Sequence, residues 1–415
     1  MAELCIRPSI NIDNTINIVK PILEEVKQDG IGAVIKYAKK FGEIADDNIL
    51  VNEKDIVQSE FRISDKAKKA IDVAYENIHK FHSHKKYSNY EIETMPGVTC
   101  RMEYKAIENT GLYIPGGTAV LPSTMLMLGI PAQISGCERV VASSPANKGV
   151  INNYVLYAAK KCGVTEFYKV GGAQAIALMA YGSGSVNKVD KIFGPGNQYV
   201  TAAKMLVSND TQSCTIDMPA GPSELLVIAD KQANPLYIAA DLLSQAEHGT
   251  DSQVVLVTTC TKLTAKVKVE LGKQLLALPR KNIAQEALQS SFTLVVNNLS
   301  EAVEFCNTYA PEHLIINTES PESVVNKVRN AGSVFLGAYT PESVGDYASG
   351  TNHSLPTYGY AKSIGGVSVL SFMKTMTFQS LTKEGLHNIA ETVTTLAELE
   401  TLEAHSNAVK VRLQK

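Results

Sequence analysis

The sequence lacks the features that would place it in a membrane, a secretory route or a nucleic-acid complex. Its 415 residues contain no apolar run near the roughly 18 residues that span a bilayer. The first residues have neither a signal-peptide hydrophobic region nor a long Arg/Ser-rich transit segment, so we expect a cytoplasmic location. The net charge of -3 gives no reason to expect nucleic acid or an anionic membrane as a partner.

Paired cysteines and the usual dinucleotide fingerprint are also absent. The 7 Cys are scattered, odd in number and form no CxxC pair, which indicates reduced thiols rather than a disulfide framework. No GxGxxG segment follows a predicted strand. Any nucleotide cofactor must therefore be argued from other glycine turns.

What the chain does have is a regular alternation of apolar runs and helical patterns. Continuous apolar runs between helices indicate parallel strands covered on both faces. We therefore predict an α/β fold with two large domains, mostly parallel and incompletely Rossmann-like sheets, one domain inserted in the other, and a small C-terminal helical segment.

Two Gly/Pro-rich joints, 111–117 and 219–223, suggest where the chain crosses between the two domains. The predicted segments are an N-terminal tail over 1–10, a main domain over 11–112 and 224–370, an inserted domain over 113–223, and a helical segment over 371–415. The last segment has little core of its own, so we expect it to pack on something else, such as a partner subunit.

Metal-ligand candidates occur at a predicted helix end and in a long polar loop. Gln245 and His248 are three residues apart, so they share one helical face, with Gly249 as the predicted C-cap. Asp346 is a candidate hard oxygen ligand in the loop over 340–357, and His353 is a polar contact there. The alternatives are a His248 that only caps the helix and loop residues that only make turns.

A carboxylate and an imidazole stand side by side at Glu312 and His313. Pro311 disfavours continuation of the preceding helix, so both residues open the next strand. Their ordinary pKa values, about 4.3 and 6.5, would let one accept a hydroxyl proton while the other activates water. The alternative is a solvated pair at a strand edge.

Two glycine turns each join a strand to a helix, at 171–174 and 194–197, and end in Gln174 and Asn197. Free N–H groups at helix N-termini bind phosphate, so these turns suit a phosphate-bearing cofactor. Tight packing without a ligand explains them nearly as well.

Several longer strings resemble the histidinol dehydrogenase family from about residue 10 to the C-terminus. They are 111–117 (GLYIPGG), 170–177 (VGGAQAIA), 192–200 (IFGPGNQYV), 220–224 (AGPSE), 245–253 (QAEHGTDSQ), 309–314 (YAPEHL), 345–353 (GDYASGTNH) and 404–409 (AHSNAV). The resemblance implies an enzyme of histidine biosynthesis that oxidises L-histidinol to L-histidine through L-histidinaldehyde, with two NAD and one zinc ion.

The same resemblance implies a role for each matching residue. It makes His313 the general base for the alcohol proton and Glu312 the residue that activates water. The implied zinc ligands are Gln245, His248, Asp346 and His405. The implied substrate contacts are these four together with Ser223, His313, His353 and Glu400. The implied NAD contacts are Tyr113, Gln174 and Asn197. It further implies a homodimer in which Glu400 and His405 enter the neighbouring subunit's site.

Other mechanisms and functions compete with this interpretation. A thiolate can form a thiohemiacetal with an aldehyde, and Cys137, Cys162 and Cys306 are the candidates, although their positions indicate packing. A zinc hydrolase would need only Glu312 and a metal-bound water, but not the two glycine turns. A two-lobed binding protein would need neither the Glu-His pair nor a metal.

Overall fold

A computed structural model describes residues 2–7, 12–85, 87–116, 120–164, 166–219 and 221–414. Residues 1 and 8–10 of the predicted tail, Gly117 of the first joint and Ala220 of the second lie outside the described residues. The chain forms two compact units. The first comprises Met1–His84 and Ile107–Phe372, and the second comprises Lys85–Ala106 and Met373–Lys415. No helix in the described ranges is both long and apolar enough to cross a membrane.

The helices of the described chain are distributed along its whole length. They are α1 Ile12–Asp29, α2 Ile31–Lys40, α3 Glu53–Gln58, α4 Asp65–Ser83, α5 Pro122–Ser135, α6 Asn153–Lys161, α7 Gly172–Tyr181, α8 Gln198–Ser208, α9 Pro235–Ala246, α10 Thr261–Ala277, α11 Lys281–Ala287, α12 Leu299–Tyr309, α13 Pro321–Val325, α14 Glu342–Tyr347, α15 Lys383–Leu399 and α16 Glu403–Leu413. Short 3₁₀ turns cover Ala2–Cys5, Ser59–Phe61, Leu288–Ser290, Tyr360–Lys362 and Val369–Phe372.

The strands of the described chain fall into three sheets. They are β1 Tyr90–Met95, β2 Val98–Ala106, β3 Asn109–Tyr113, β4 Arg139–Ser143, β5 Glu166–Tyr168, β6 Lys191–Phe193, β7 Thr215–Ile216, β8 Glu224–Ala229, β9 Gln253–Thr258, β10 Phe292–Val295, β11 His313–Asn317, β12 Ser333–Leu336 and β13 Met373–Leu381.

The first unit contains two parallel sheets of the same topology. The first sheet has the order β5-β4-β3-β6-β7 and the second has the order β10-β9-β8-β11-β12. In each sheet the earliest strand is central, the next two lie on one side and the last two on the other, as in a Rossmann fold without its sixth strand. The strand order reverses between β3 and β6 in the first sheet and between β8 and β11 in the second.

Burial explains why the central strands are so apolar. Every residue of β8, β9 and β11 is buried, because helices cover both faces of the second sheet. Separate apolar clusters lie on the two faces, one built around Leu225 and Leu243 and the other around Leu226 and Phe305. The α/β prediction with two mostly parallel sheets is therefore confirmed.

The second unit is much smaller than the first and has a different kind of sheet. Its antiparallel sheet has the order β1-β2-β13, and β13 pairs with β2 from Met373↔Ala106 to Leu381↔Val98. The helices α15 and α16 follow, so the C-terminal segment contains a strand as well as the expected helices. The predicted boundaries of the tail, the inserted domain and the main domain stay a prediction.

Candidate active site

A cleft of about 680 Å³ opens in the first unit, between one edge of the first parallel sheet and one edge of the second. The segments 195–199, after β6, and 221–223, before β8, form parts of its walls. The cleft is therefore bounded by the carboxyl edge of the first sheet and the amino edge of the second. Eight residues singled out from the sequence line it: Asn197, Ser223, Gln245, His248, Glu312, His313, Asp346 and His353.

The turn before β11 places Glu312 and His313 at the cleft. Ala310 ends α12 in the left-handed region with φ of 53°, and Pro311 then directs the chain into the strand. Both side chains are almost fully buried. Oε2 of Glu312 accepts a hydrogen bond of 2.8 Å from the backbone N–H of Glu224. It also lies 3.5 Å from Nδ1 of His313, so the two groups form one buried pair.

Electrostatics couples this pair to Asp346. Nε2 of His313 lies 3.4 Å from Oδ1 of Asp346. Burial alone would lower the pKa of His313, but the carboxylates of Glu312 and Asp346 outweigh it and raise the pKa well above its usual value. Burial raises the pKa of Glu312, although the imidazole opposes that shift. His313 thus holds its proton more tightly than an ordinary histidine does, with a carboxyl group on each side.

The helix that carries Gln245 ends earlier than predicted. Helix α9 stops at Ala246, and Glu247 rather than Gly249 is its C-cap. His248 therefore lies in the following turn, because its backbone N–H bonds to the carbonyl of Gln245 at 3.2 Å. Both side chains still line the cleft. Burial lowers the pKa of His248, which favours the neutral imidazole that binds metal ions.

The segment 340–357, predicted as a loop, contains the short helix α14, which carries Asp346. The pKa of Asp346 would be raised by burial, but the nearby His313 lowers it and keeps the carboxylate ionised. His353 follows in the irregular part of the segment. Its Nδ1 lies 2.8 Å from the backbone oxygen of Asp346, and its Nε2 lies 3.1 Å from Oγ1 of Thr124. His353 therefore ties this segment to the start of α5.

The donor set in the cleft fits one borderline cation. Gln245, His248 and Asp346 supply an amide, an imidazole and a carboxylate, which suit zinc when a further ligand joins them. Within the described ranges, no three His, Cys, Asp or Glu side chains come together as a metal site. The three donors in the cleft are consistent with that finding, because only two of them, His248 and Asp346, are side chains of these types.

The three expected NAD contacts do not lie together in the cleft. Only Asn197 lines it, and its Oδ1 caps α8 by accepting from the N–H groups of Tyr199 and Val200. The Tyr113 hydroxyl instead accepts from the N–H of Gly172 at 3.1 Å, and this tyrosine is buried.

Gln174 is also buried, and its Nε2 faces a carboxylate oxygen of Glu43 at 3.4 Å. Burial raises the pKa of Glu43 to about 7. The Gln174 carbonyl oxygen has no hydrogen-bond partner in the described structure.

The remaining two candidates belong to the second unit. Glu400 is the C-cap of α15 and His405 lies in the first turns of α16, and both side chains are exposed. They are not among the residues that line the cleft of the first unit.

Two supporting carboxylates were not recognised in the sequence. Glu224 follows Ser223, and its backbone contacts both Glu312 and His313. Glu342 lies four residues before Asp346 on α14, a spacing that puts both carboxylates on one helical face. That spacing is the signal that could identify Glu342 from the sequence, but it applies only to a helix, and the segment is predicted to be a loop.

Comparison with known proteins gives a consistent result over nearly the whole chain. The family model described as "Histidinol dehydrogenase" matches residues 5–413. The chain is 54% identical to the chloroplastic histidinol dehydrogenase of Oryza sativa subsp. japonica over 410 residues, which is 98% of this chain and 86% of the relative. It is 51% identical to the histidinol dehydrogenase of Bacteroides thetaiotaomicron over 413 residues, covering 99% and 96%.

A solved structure agrees with these relatives. The crystal structure of histidinol dehydrogenase from Elizabethkingia anophelis superposes with a TM-score of 0.95 at 48% identity, covering 99% of this chain and 95% of that one. The prediction of a family made from the sequence strings is therefore confirmed. By motif, sequence and fold, this chain is an oxidoreductase that belongs to the histidinol dehydrogenase family.

Proposed function

We propose that this chain oxidises L-histidinol to L-histidine through L-histidinaldehyde, using two NAD and one zinc ion. The observation that carries the proposal is the buried Glu312-His313 pair beside Gln245, His248 and Asp346 in a single cleft of a chain from this family. Membership of a dehydrogenase family favours this activity over the zinc hydrolase and the binding protein.

His313 is proposed to act first, by accepting the hydroxyl proton of the alcohol. Its contacts support this role, because Nε2 faces Asp346 in the cleft, 3.4 Å from Oδ1, while Nδ1 faces a backbone carbonyl. Asp346 raises the pKa of His313 as long as the two side chains pair. Once Asp346 serves as a metal ligand, that pairing weakens and the imidazole is free to take a proton.

Glu312 is proposed to act second, by taking a proton from the water that attacks the aldehyde carbon. The product of that attack is a hydrate, from which a second oxidation gives the carboxylic acid. The backbone of Glu312 is held closely by the neighbouring strand, since the N–H of Ser333 donates to the Glu312 carbonyl at 2.9 Å. A Cβ on Gly332 would lie 2.6 Å from that same oxygen, so glycine is needed for the approach.

Zinc and NAD would have separate roles in the proposed reaction. Zinc, held by Gln245, His248, Asp346 and His405, would position the substrate's imidazole and amine. NAD would accept two electrons in each oxidation, with Tyr113, Gln174 and Asn197 as contacts and Ser223, His353 and Glu400 completing the substrate site. The N-terminus of α5 opens onto the cleft and no described side chain caps it, so its N–H groups suit a phosphate.

The chain is proposed to act as a homodimer that brings Glu400 and His405 to the neighbouring site. In the second unit, Leu396, Leu399 and Val411 are all strongly exposed, at 55%, 77% and 46%. Leu396 and Leu399 are three residues apart on α15 and so share one helical face, and a continuous apolar patch is typical of a surface that a partner covers. A cytoplasmic location stays a prediction.

A thiolate route for the second oxidation finds no support. None of the described residues lining the cleft is a cysteine. Burial raises the pKa of the Cys137 and Cys162 thiols, and raises that of Cys306 to about 12, so none of them is a ready nucleophile.

The deciding experiment is the NADH yield from limiting L-histidinol, with and without prior chelation. We expect two NADH for each histidinol, lost on chelation and restored by zinc. One NADH for each histidinol would remove the proposed second step and with it the role of Glu312. Protein that holds its metal and yields no NADH would contradict the proposal as a whole.

A further inference from the structure

The amide of Gln245 has a ligand-capable end and an end that cannot bind a cation. Its carbonyl oxygen carries lone pairs, whereas its NH₂ group only donates. The side chain is fully buried and lines the cleft. Whichever group lies behind it therefore decides which end faces the metal site.

That group is Glu342, at the start of α14. Its side chain is buried, with 1% of its surface exposed. In the amide orientation that satisfies the hydrogen bonds, the nitrogen of Gln245 donates to both carboxylate oxygens of Glu342, at 2.9 and 3.1 Å. When Glu342 is ionised, the reverse orientation would set the amide oxygen against two acceptors at these distances, which is repulsive.

The carboxylate is itself held in place. Oε1 of Glu342 accepts a hydrogen bond of 2.8 Å from Oγ of Ser244, the residue before Gln245 on α9. The same short helix that begins with Glu342 carries Asp346 four residues later. Helix α14 thus supplies one proposed zinc ligand directly and orients a second through Glu342.

We propose that Glu342 is a positioning residue that turns the carbonyl oxygen of Gln245 toward the zinc site and so sets the affinity for zinc. Glu342 is not among the described residues that line the cleft. Its effect passes through Gln245, in the way that hydrogen-bond partners of metal ligands orient those ligands. This inference rests on the zinc site of the proposed function.

The test compares Glu342→Gln with Asp241→Asn. A glutamine at 342 presents both a donor and an acceptor, so it no longer selects one orientation of the Gln245 amide. Asp241 is a matched control, because it is a buried carboxyl one turn before Gln245 on α9 and no hydrogen bond joins the two side chains. Zinc dissociation constants are measured by competition with a chelator, and the absorption spectrum of the cobalt-substituted protein reports the ligand set.

We expect zinc to bind about 10- to 100-fold more weakly to Glu342→Gln, the range found when partners of metal ligands are removed. The cobalt spectrum should change, and activity should recover at saturating zinc. Asp241→Asn should keep the wild-type affinity and spectrum. An unchanged affinity and spectrum in Glu342→Gln would overturn the proposal, and so would an affinity loss that only follows a drop in the thermal midpoint of the zinc-free protein.

A second measurement does not depend on any variant. Neutron diffraction from the deuterated, zinc-loaded protein distinguishes an ND₂ group from an oxygen. An ND₂ group facing Glu342 supports the proposal, and an oxygen there overturns it. If the wild-type protein binds no zinc, the metal site of the proposed function fails. If it binds zinc that Asp346→Asn releases but Glu342→Gln retains, only the present inference fails.

Discussion

Nδ1 of His313 lies 3.2 Å from the backbone carbonyl oxygen of Glu224. A carbonyl only accepts hydrogen bonds, so this contact holds a proton on Nδ1. The proton that His313 gains or loses is then the one on Nε2, which lies 3.4 Å from Oδ1 of Asp346. The backbone of β8 thus selects the nitrogen that serves as the base in the proposed reaction.

The Glu312→Gln variant should separate the two oxidations. Glutamine keeps an oxygen for the N–H of Glu224 but cannot take a proton from water. We expect oxidation of the aldehyde to slow by about 10²- to 10⁴-fold, while NADH formation from histidinol in the presence of an aldehyde trap falls much less. Glu319→Gln, an exposed carboxylate just beyond β11, is the control and should change neither rate. Equal losses in both half-reactions would argue against a separate role for Glu312.

Zinc retention should distinguish two carboxylates of the same cleft. Asp346 and Asp251 both line it, but only Asp346 is a proposed ligand. Asp346→Asn should therefore lose most of its zinc on dialysis, because an amide is a weaker ligand than a carboxylate. Asp251→Asn should retain zinc as the wild type does. Equal zinc content in the two purified variants would contradict the ligand assignment.

Mixed dimers should show whether sites are shared between subunits. Glu312→Gln and His405→Ala are each expected to form almost no L-histidine alone. If His405 enters the neighbouring site, random reassortment of the two variants leaves about a quarter of the sites with both residues intact, and activity returns on mixing. The pair Glu312→Gln and Asp346→Asn is the control, since both changes lie in the first unit and every mixed site keeps one defect. Absence of recovery in the first mixture would point to sites made by single subunits.

Removal of Arg7 should destabilise the first unit. Its guanidinium makes two hydrogen bonds to the Glu224 carboxylate, at 3.0 and 3.1 Å, and stacks 3.7 Å from the ring centroid of Tyr309. Arg7→Ala leaves a carboxylate that is 2% exposed without its counter-ion, a change that costs about 3 to 5 kcal/mol. Urea unfolding measures the loss. Arg62→Ala, which breaks an exposed pair with Asp55, should cost less than about 1 kcal/mol.

The stability of the fold should fall in mild acid because of His82. This side chain is buried on α4, Nε2 has no hydrogen-bond partner in the described structure, and burial lowers its pKa to about 4. An unfolded histidine titrates near pH 6.5, so the neutral form stabilises the fold above that pH. This contribution is lost as the pH falls from about 6.5 toward 4.

His82→Leu removes the group that titrates, so its free energy of unfolding should change less with pH in that window. Urea unfolding at several pH values from 7 to 4.5 gives the comparison. His84→Leu, at an exposed position two residues later, should follow the pH dependence of the wild type. Parallel curves for the wild type and His82→Leu would show that other groups control the acid response.

Local patterns predicted the parts of the fold that depend on burial from both faces. Strands such as β8 are continuous apolar runs, and so the parallel sheets were visible in the sequence. The antiparallel sheet was not predicted, because β1 is almost entirely exposed and mixes charged with apolar residues. Its central strand also pairs with β13, more than 250 residues later, and no local pattern encodes that pairing.

In the candidate site, too, contacts between neighbours in the chain were predictable and contacts between distant residues were not. Glu312 and His313 are adjacent in the chain, so their pairing was readable. The contact between Arg7 and Glu224 joins residues that are 217 positions apart, so no local sequence pattern predicts it. The end of α9 was placed too late because Gly249 looked like a C-cap, whereas the helix already ends before His248.

The amino edge of the second sheet borders the cleft. The turns at its carboxyl edge therefore lie away from the residues that take part in the proposed reaction. A six-residue strand such as β8 is about 20 Å long, so the turns at 230–234 and 318–320 lie a full strand length from Ser223 and Glu312. Insertions, affinity tags or fluorescent labels at those turns should leave turnover intact. We therefore expect this edge to tolerate changes of loop length that the edge beside the cleft would not.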